Sequence, residues 1–534
     1  MRQAGDLGGS WTRRRFLKAG GVMVVGAAGL SALALEACSN ASPSASGPAA
    51  AAAAAASQPP VTRRRYRSRP DLTAPPVDVA APVGSVAPGL VFITPNNGVA
   101  PDGLLMTDNA GKPIWIRPDT GSYAANFRPS VYGGKPVLTW WEGAVNGGFG
   151  SGQLVIIDDT YTELFRFGAG AGRKADIHEF QITPQQTALL LTDAGVAIPA
   201  GSSPPPWQNW DCIVEEVDIA TGAILFEWHS ADHISTDESV IPAPGTASPA
   251  PGSASPAPTS TPAAAPTPGS SAAASSVPVY DSVHANAIEL DTDGNMLVSA
   301  RNTSTIYKVD RTTGEIRWRL GGKKSDFKMG DGATFALQHD PRRHADGTIS
   351  VFDDGMAPGT SRGIVLDVDE QAMTASLVRA YPHPHAKLAM SQGNMQILPN
   401  GNAFIGWGST GYASEFSQDG QLLFDADFSG SIQSYRCFRY PWVAKPTEPP
   451  VVAADTPEGE MVNVYASWNG ATEVASWEVL NGADATKLSS AGTFPRTDFE
   501  TAFTIKASGS LVAVNALDKN GTVLGTSKAV PIPD

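Results

Sequence analysis

One pattern recurs along most of this chain and limits what it can fold into. An apolar strand carrying Asp runs into a tight turn and then into a second apolar strand with aromatic residues. It occurs six times, at 103–116, 153–167, 212–228, 306–320, 364–381 and 413–428, for example as IYKVDRTTGEIRWRL. Each copy reads as a β-hairpin, with Asp, Gly or Asn in the turn and side chains alternating with period two. Hairpins of a second kind lie between them, at 127–141, 177–194, 283–301, 338–355 and 391–408. The starts of the last three are 55 and 53 residues apart, near the spacing of propeller repeats, about 40–50 residues. Four strands per repeat and six repeats predict a six-bladed β-propeller. Its sixth inner hairpin would be assembled from 89–95 and 435–442, a closure that removes exposed sheet edges. Helical periodicity is nearly absent, so the expected class is all-β. A long sandwich array would not explain the alternation of two hairpin types.

The flanks read differently. Beyond Pro449 come short alternating strands such as VNVYASWNG and EVASWEVL, which predict a C-terminal immunoglobulin- or fibronectin-like β-sandwich over 446–534. The propeller is assigned to 66–445. An Ala/Pro/Ser tract at 241–277 interrupts it and reads as a disordered surface insertion. At the front, Thr12–Lys18 spells TRRRFLK, a twin-arginine export signal, followed by an apolar run from Ala19 to Leu35. Leu35-Glu36-Ala37-Cys38 resembles a lipobox, although Glu36 stands where a small residue is usual. Residues 1–38 are therefore read as a signal peptide with lipidation at Cys38, and 39–65 as a disordered tether. The protein is expected outside the cytoplasm, lipid-anchored to the outer face of the membrane. Ordinary cleavage near Ala37 would instead give a soluble secreted protein.

The formal charge of −14 argues against nucleic acid as a partner, because phosphate neutralisation needs clustered Lys and Arg. The cysteines are Cys38, Cys212 and Cys437, with no CxxC pair. Cys212 and Cys437 are open to two readings, buried thiols or a disulfide formed after export. DTDGN at 291–295 resembles half a calcium loop, but lacks the bidentate Glu and reads better as a hairpin turn.

The chain has eight histidines. His178, His284 and His339 fall at equivalent places, the start of the inner hairpin of a blade. In a propeller those positions converge on the central channel, so the three imidazoles are expected to cluster. Gln392 holds the next such position. Three histidines also suit zinc or copper. Arg301 ends the hairpin begun by His284 and favours an anionic substrate over a bound cation. His229, His233, His344, His383 and His385 read as structural or solvated. Trp140, Trp141 and Trp407 are either rings facing the channel or inter-blade core.

The segments HANAIELDTDGNMLVSARNTSTIYKVDRTTGEIRWRLGG, FALQHDPRRHADGTISVFDDG and SQGNMQILPNGNAFIGWGS resemble the arylsulfotransferase family, especially its actinobacterial and fungal branch. The resemblance covers about 66–445 and rests on the spacing of H-x-N, S-x-R, STIYK, W-x-LGG and QHD. It implies a six-bladed propeller and transfer of a sulfuryl group from an aryl sulfate to a phenolic acceptor, without a nucleotide sulfate donor. It also implies a ping-pong path through a sulfohistidine. His339 of QHD is then the nucleophile. His284 and Asn286 match H-x-N, Arg301 matches the arginine closing that strand, and His178 is the earlier histidine. No metal or diffusible cofactor is needed. The chain departs from the better-known bacterial members, lacking their N-terminal β-domain and carrying a C-terminal sandwich instead. Two other readings stand beside this one: a non-catalytic cell-surface propeller that binds a ligand or partner, and a metal-dependent hydrolase or lyase using the histidine cluster.

Overall fold

The computed structural model describes residues 62–80, 85–96, 103–118, 120–196, 207–244, 278–456 and 461–533. The export signal, Cys38, most of the tether and nearly all of the 241–277 tract lie outside the described residues. The fold is all-β. Helix is confined, among the described residues, to one four-residue turn at Ser230–His233 and three 3-10 turns.

Among the described residues, six sheets of four or five strands account for most of the body, antiparallel except where Val279–Tyr280 and Lys328–Met329 each add a short parallel edge. The first runs Tyr123–Tyr132, Lys135–Asn146, Phe149–Asp158 and Glu163–Phe167; the second runs Phe180–Ile182, Thr187–Gly195, Gln208–Asp218 and Ile224–His229. The third is Ala285–Leu290, Met296–Ala300, Thr305–Val309 and Ile316–Gly321. The fourth starts at His339–Arg343 and the fifth at Asn394–Ile397. The sixth places Gln433–Tyr440 against Leu90–Asn96, with Phe438 opposite Phe92. Strands from the two ends of the repeat therefore share a sheet, as the sequence predicts.

Neighbouring sheets pack through apolar clusters. Trp141, Leu154, Phe180 and Leu190 form one between the first and second sheets. Phe352, Met395, Ile405 and Trp407 form another between the fourth and fifth. Trp140, Trp141 and Trp407 are all fully buried, which resolves them as core. Full burial of a side chain of this size is worth roughly 1.5–3 kcal/mol. Trp141 depends on missing side chains: a Cβ at Gly143, Gly150 or Gly152 would lie 2.8, 2.8 or 2.6 Å from its ring. At Gly152 it would also lie 2.4 Å from the Glu142 carbonyl. Gly152→Ala is thus expected to destabilise by about 1–3 kcal/mol, seen as a lower urea midpoint at unchanged slope.

The DTDGN turn closes with the Asp291 N–H donating to the Asn295 carbonyl at 2.8 Å. Lys308 Nζ sits 3.0 Å from Asp291 and 2.8 Å from Asp293, so the protein's own cation occupies the acidic turn. Cys212 and Cys437 are separate buried thiols, and burial pushes Cys437 up to about 12.

The C-terminal segment forms two further sheets, Val451–Asp455 with Met461–Ser467 and Glu500–Lys506, and a second built on Ser476–Gly482 and Leu511–Leu517. Trp477, Val464, Phe503 and Val514 fill the space between them. This unit touches the ends of strands in the first and sixth sheets. Tyr161 donates to the Gly470 carbonyl at 2.8 Å, and Gly470 N–H to Ile114 at 2.9 Å.

The tether boundary at 65 needs correction. Arg64–Arg65 already pairs with Thr73–Ala74. Tyr66 is buried, its ring 4.4 Å from Phe499. Arg64 lies 3.7 Å from Asp498, and Ser68 Oγ donates to Glu500 at 2.6 Å. Asp78–Ala80 then adds an edge strand to Leu422–Asp427 of the fifth sheet, too short a segment to carry a periodic signal.

A candidate active site of three histidine–aspartate pairs

The first strands of several sheets do not begin as regular ladders. Their register shifts between Ala285 and Ala287 and between His339 and Arg342. His284, Asp340 and Gln392 have φ of 53°, 52° and 70°, a region that non-glycine residues seldom occupy. Such bulges re-aim side chains, and strain of this kind gathers at functional sites. The three histidines are not strictly equivalent. His339 opens its strand, His284 precedes one by a residue, and His178 precedes one by two.

All three nonetheless share one arrangement. His339 Nδ1 is 2.6 Å from Asp354 Oδ2, and His284 Nδ1 is 2.6 Å from Asp281 Oδ2. His178 Nδ1 meets Asp176 Oδ1, which also accepts the His178 backbone N–H at 2.9 Å. A carboxylate on Nδ1 fixes the proton there and turns the Nε2 lone pair outward. The His178 and His284 rings lie 4.6 Å apart, edge to face. In the resting protein the Gln392 backbone N–H donates to His339 Nε2 at 3.2 Å.

Burial pushes His339 well below its usual value, reinforced by Arg301, the other two imidazoles and Arg436. Burial also lowers His178, against the pull of Asp176. Neutral imidazole is therefore the resting form at both. Asp193 shows the opposite shift: burial and the neighbouring Asp176 and Asp281 carboxylates raise it well above the carboxylate range.

Arg301 is buried and bonds neutral oxygens only, Asn302 Oδ1 and the Met390 carbonyl, each at 2.9 Å. It makes no ion pair among the described residues, so its charge remains to be balanced. Asn286 donates to the Gln338 carbonyl at 2.8 Å, bracing the residue before His339, and its Oδ1 has no hydrogen-bond partner among the described residues. Beneath lies a buried ionic plug. Glu179 contacts Arg128, Arg342 and Arg436 at 3.3, 2.6 and 3.1 Å. Burial opposes its charge, but the three guanidiniums hold the carboxyl far below the usual range.

A cavity of about 510 Å³ opens onto this cluster, lined by His178, His339, Gln392, Gln433, Met390 and Tyr435 among others. His284 stands behind His178, with the Phe149 ring 5.4 Å away. Tyr435 is buried, and its hydroxyl has no partner among the described residues. Burial raises it well above 10, so it remains a donor. No reading of the sequence marked Tyr435, Arg436 or the three aspartates. Asp176 and Asp281 lie two and three residues ahead of their histidines, a local signal that was available. Asp354 was hidden by distance along the chain, because it comes from the far strand of the His339 hairpin.

The other five histidines do not join the cluster. His229 lies between Asp211 and Glu227, and His233 stacks on Trp228. His344 borders a different cavity. His383 packs 4.4 Å from Trp407, with burial lowering it to about 3, and His385 meets Asp425 at 2.7 Å. Among the described residues no group of three or more His, Cys, Asp or Glu side chains is arranged to hold a metal ion.

Among solved structures, the chain is similar to a protein of unknown function from Bacteroides caccae, at 13% identity over 66% of this chain and 98% of that one, with a TM-score of 0.37. It is also similar to the periplasmic gluconolactonase of Pseudomonas aeruginosa, at 12% identity over 83% and 96%, TM-score 0.33. For virginiamycin B lyase of Staphylococcus aureus the identity is 9% over 76% and 95%, TM-score 0.32. No curated protein matches the chain. The sequence model of the arylsulfotransferase (ASST) family matches residues 128–429, a span that holds His178, His284, Asn286, Arg301 and His339, and the chain belongs to that family.

Proposed function

We propose that this protein is an arylsulfate sulfotransferase that passes a sulfuryl group from an aryl sulfate to a phenol through His339. The observation that carries the reading is a cluster of three buried His–Asp pairs, two of whose histidines, His178 and His339, line one cavity, with the charge of Arg301, which has no carboxylate partner among the described residues, bearing on His339. His339 Nε2 attacks sulfur and the S–O bond to the aryl group breaks, releasing phenolate and leaving an Nε2–SO3 adduct. The Nδ1 proton stays on Nδ1, held by its hydrogen bond to Asp354. Arg301 and the Tyr435 hydroxyl face the charge that develops, a term that is usually large in such sites. As the sulfur arrives, the Gln392 N–H released from Nε2 becomes a donor to a sulfuryl oxygen. A phenol then enters, gives its proton to His284 or His178 at Nε2, and attacks the adduct, restoring neutral His339. That proton ends on the phenolate released in the first half, so the exchange balances and needs no metal or nucleotide. His178, His284 and Asn286 orient the sulfuryl group and brace the strands.

The same proposal treats the six sheets as blades around one axis, the two C-terminal sheets as an immunoglobulin-like sandwich, and the front of the chain as a twin-arginine signal lipidated at Cys38. Brief mixing with 4-nitrophenyl sulfate followed by intact-mass analysis tests the chemistry. The expected result is a gain of about 80 Da, one SO3, together with a nitrophenol burst, and neither in His339→Ala. Turnover without any adduct, or an adduct that persists in His339→Ala, would remove His339 as the carrier.

A further inference from the structure

A second cavity of about 540 Å³ lies on the other side of the hairpin tip that borders the histidine cavity. Gly147 is shared between the two. One wall of the second cavity is aromatic: Phe149 and Trp210 lie 5.1 Å apart, tilted against each other. The same Phe149 ring packs on His284, so one side chain links the two spaces. The Trp210 indole N–H is shielded from water and has no acceptor among the described residues, a donor that a ligand oxygen would satisfy. Two adjacent cations line the cavity. Arg173 is committed to Glu215 and Glu227. Lys174 is exposed and makes no ion pair among the described residues. Asp193 also lines this space, and burial together with the neighbouring Asp176 and Asp281 carboxylates raises its carboxyl, which disfavours negative charge there. Aromatic walls, a cation with no ion pair among the described residues and an indole donor without an acceptor together favour a flat ring bearing an anionic group.

We infer that this second cavity binds an aryl sulfate, its ring against Phe149 and Trp210 and its sulfate toward Lys174, one hairpin tip away from the histidines. The identity of the ligand rests on the sulfuryl-transfer reading; the site itself does not. It would hold an incoming donor or a departing sulfated product while the histidine cavity is occupied. In a chain of net charge −14, a local cation of this kind also steers an anion toward the catalytic mouth.

Calorimetric titration of the full His339→Ala protein with 4-nitrophenyl sulfate tests this without turnover. Two binding events are expected. In the same background Lys174→Gln and Trp210→Phe should each weaken one of them by about tenfold or more, because a hydrogen bond or contact to a charged group is lost, and leave the other unchanged. Unchanged thermal melts of both variants would show that the fold is intact. Inorganic sulfate and 4-nitrophenol, titrated separately, should each bind the second site more weakly than the conjugate. A single binding event, or two that both variants leave alone, overturns the inference. A second site that responds to Lys174→Gln in a protein that never forms a sulfuryl adduct would keep the site and reject the catalytic reading.

Discussion

Asp354→Asn is expected to lower the rate of sulfuryl transfer by about 10³–10⁴-fold while leaving the fold in place, a loss comparable to that seen when the Asp of a Ser–His–Asp triad is so changed. The reason is the proton. Asp354 accepts from His339 Nδ1 at 2.6 Å and so keeps the Nε2 lone pair available. An amide in its place can present its NH2 to Nδ1, moving the proton to Nε2 and blocking attack. Stopped-flow release of nitrophenol in a single turnover reads the chemical step directly. Asp281→Asn should cost less, because His284 moves a proton and does not carry the group. A loss at Asp354 of less than about tenfold, or equal losses at both positions, would mean that the carboxylates serve packing and not tautomer control.

Glu179→Gln is expected to give the largest loss of stability of any single change considered, about 3–5 kcal/mol. Arg342 and Arg436 contact its carboxylate at 2.6 and 3.1 Å, and Arg128 at 3.3 Å. With the charge gone, buried guanidiniums face one another with less to balance them. The pH dependence has a definite sign. The folded carboxyl is held below its unfolded value of about 4.3, so folding favours the ionised form. Its contribution is complete above that unfolded value and is lost as pH falls through the folded one. Urea titrations should show a constant deficit for the variant from pH 7 to pH 5, narrowing below about pH 4 as the parent loses the same interaction. A deficit under about 1 kcal/mol at pH 7 would show that water or a shifted arginine replaces the carboxylate.

Much of this was legible in the sequence because hairpins announce themselves locally. Asp and Gly mark the turn, alternation marks the faces, and the strand pairs at 306–320 and 413–428 follow directly. The closing pair of 433–440 with 90–96 was readable only because the repeat lacked one hairpin. His178, His284 and His339 could be found because histidine is scarce here and recurs at strand starts. Their partners were harder. Asp354 meets His339 only once the hairpin is paired. Arg436 arrives from the far end of the repeat to stand beside Asn126, Glu179 and Asn286, and Tyr435 next to it lies 5.7 Å from the His178 ring. Aspartate is common, and no periodicity separates one that orients an imidazole from one that caps a turn. The tether boundary at 65 missed for a different reason: the strands there have two or three residues, too few to show alternation.

Those strands have a bearing on how a load on the chain is carried. Residues 64–68 lie against the C-terminal sheets, through Tyr66 on Phe499 and Ser68 on Glu500. Those sheets in turn meet the first sheet at the 158–162 turn, by way of Tyr161. The strand Phe149–Asp158 runs from that turn to the hairpin tip bordering both cavities. The joint and the two mouths are therefore at opposite ends of the same strand. A pull applied ahead of Thr62 would reach the C-terminal sheets first, at the end of the strand remote from both mouths. Such a load would be borne by Tyr66, Ser68 and Tyr161 and would not pass through the histidines.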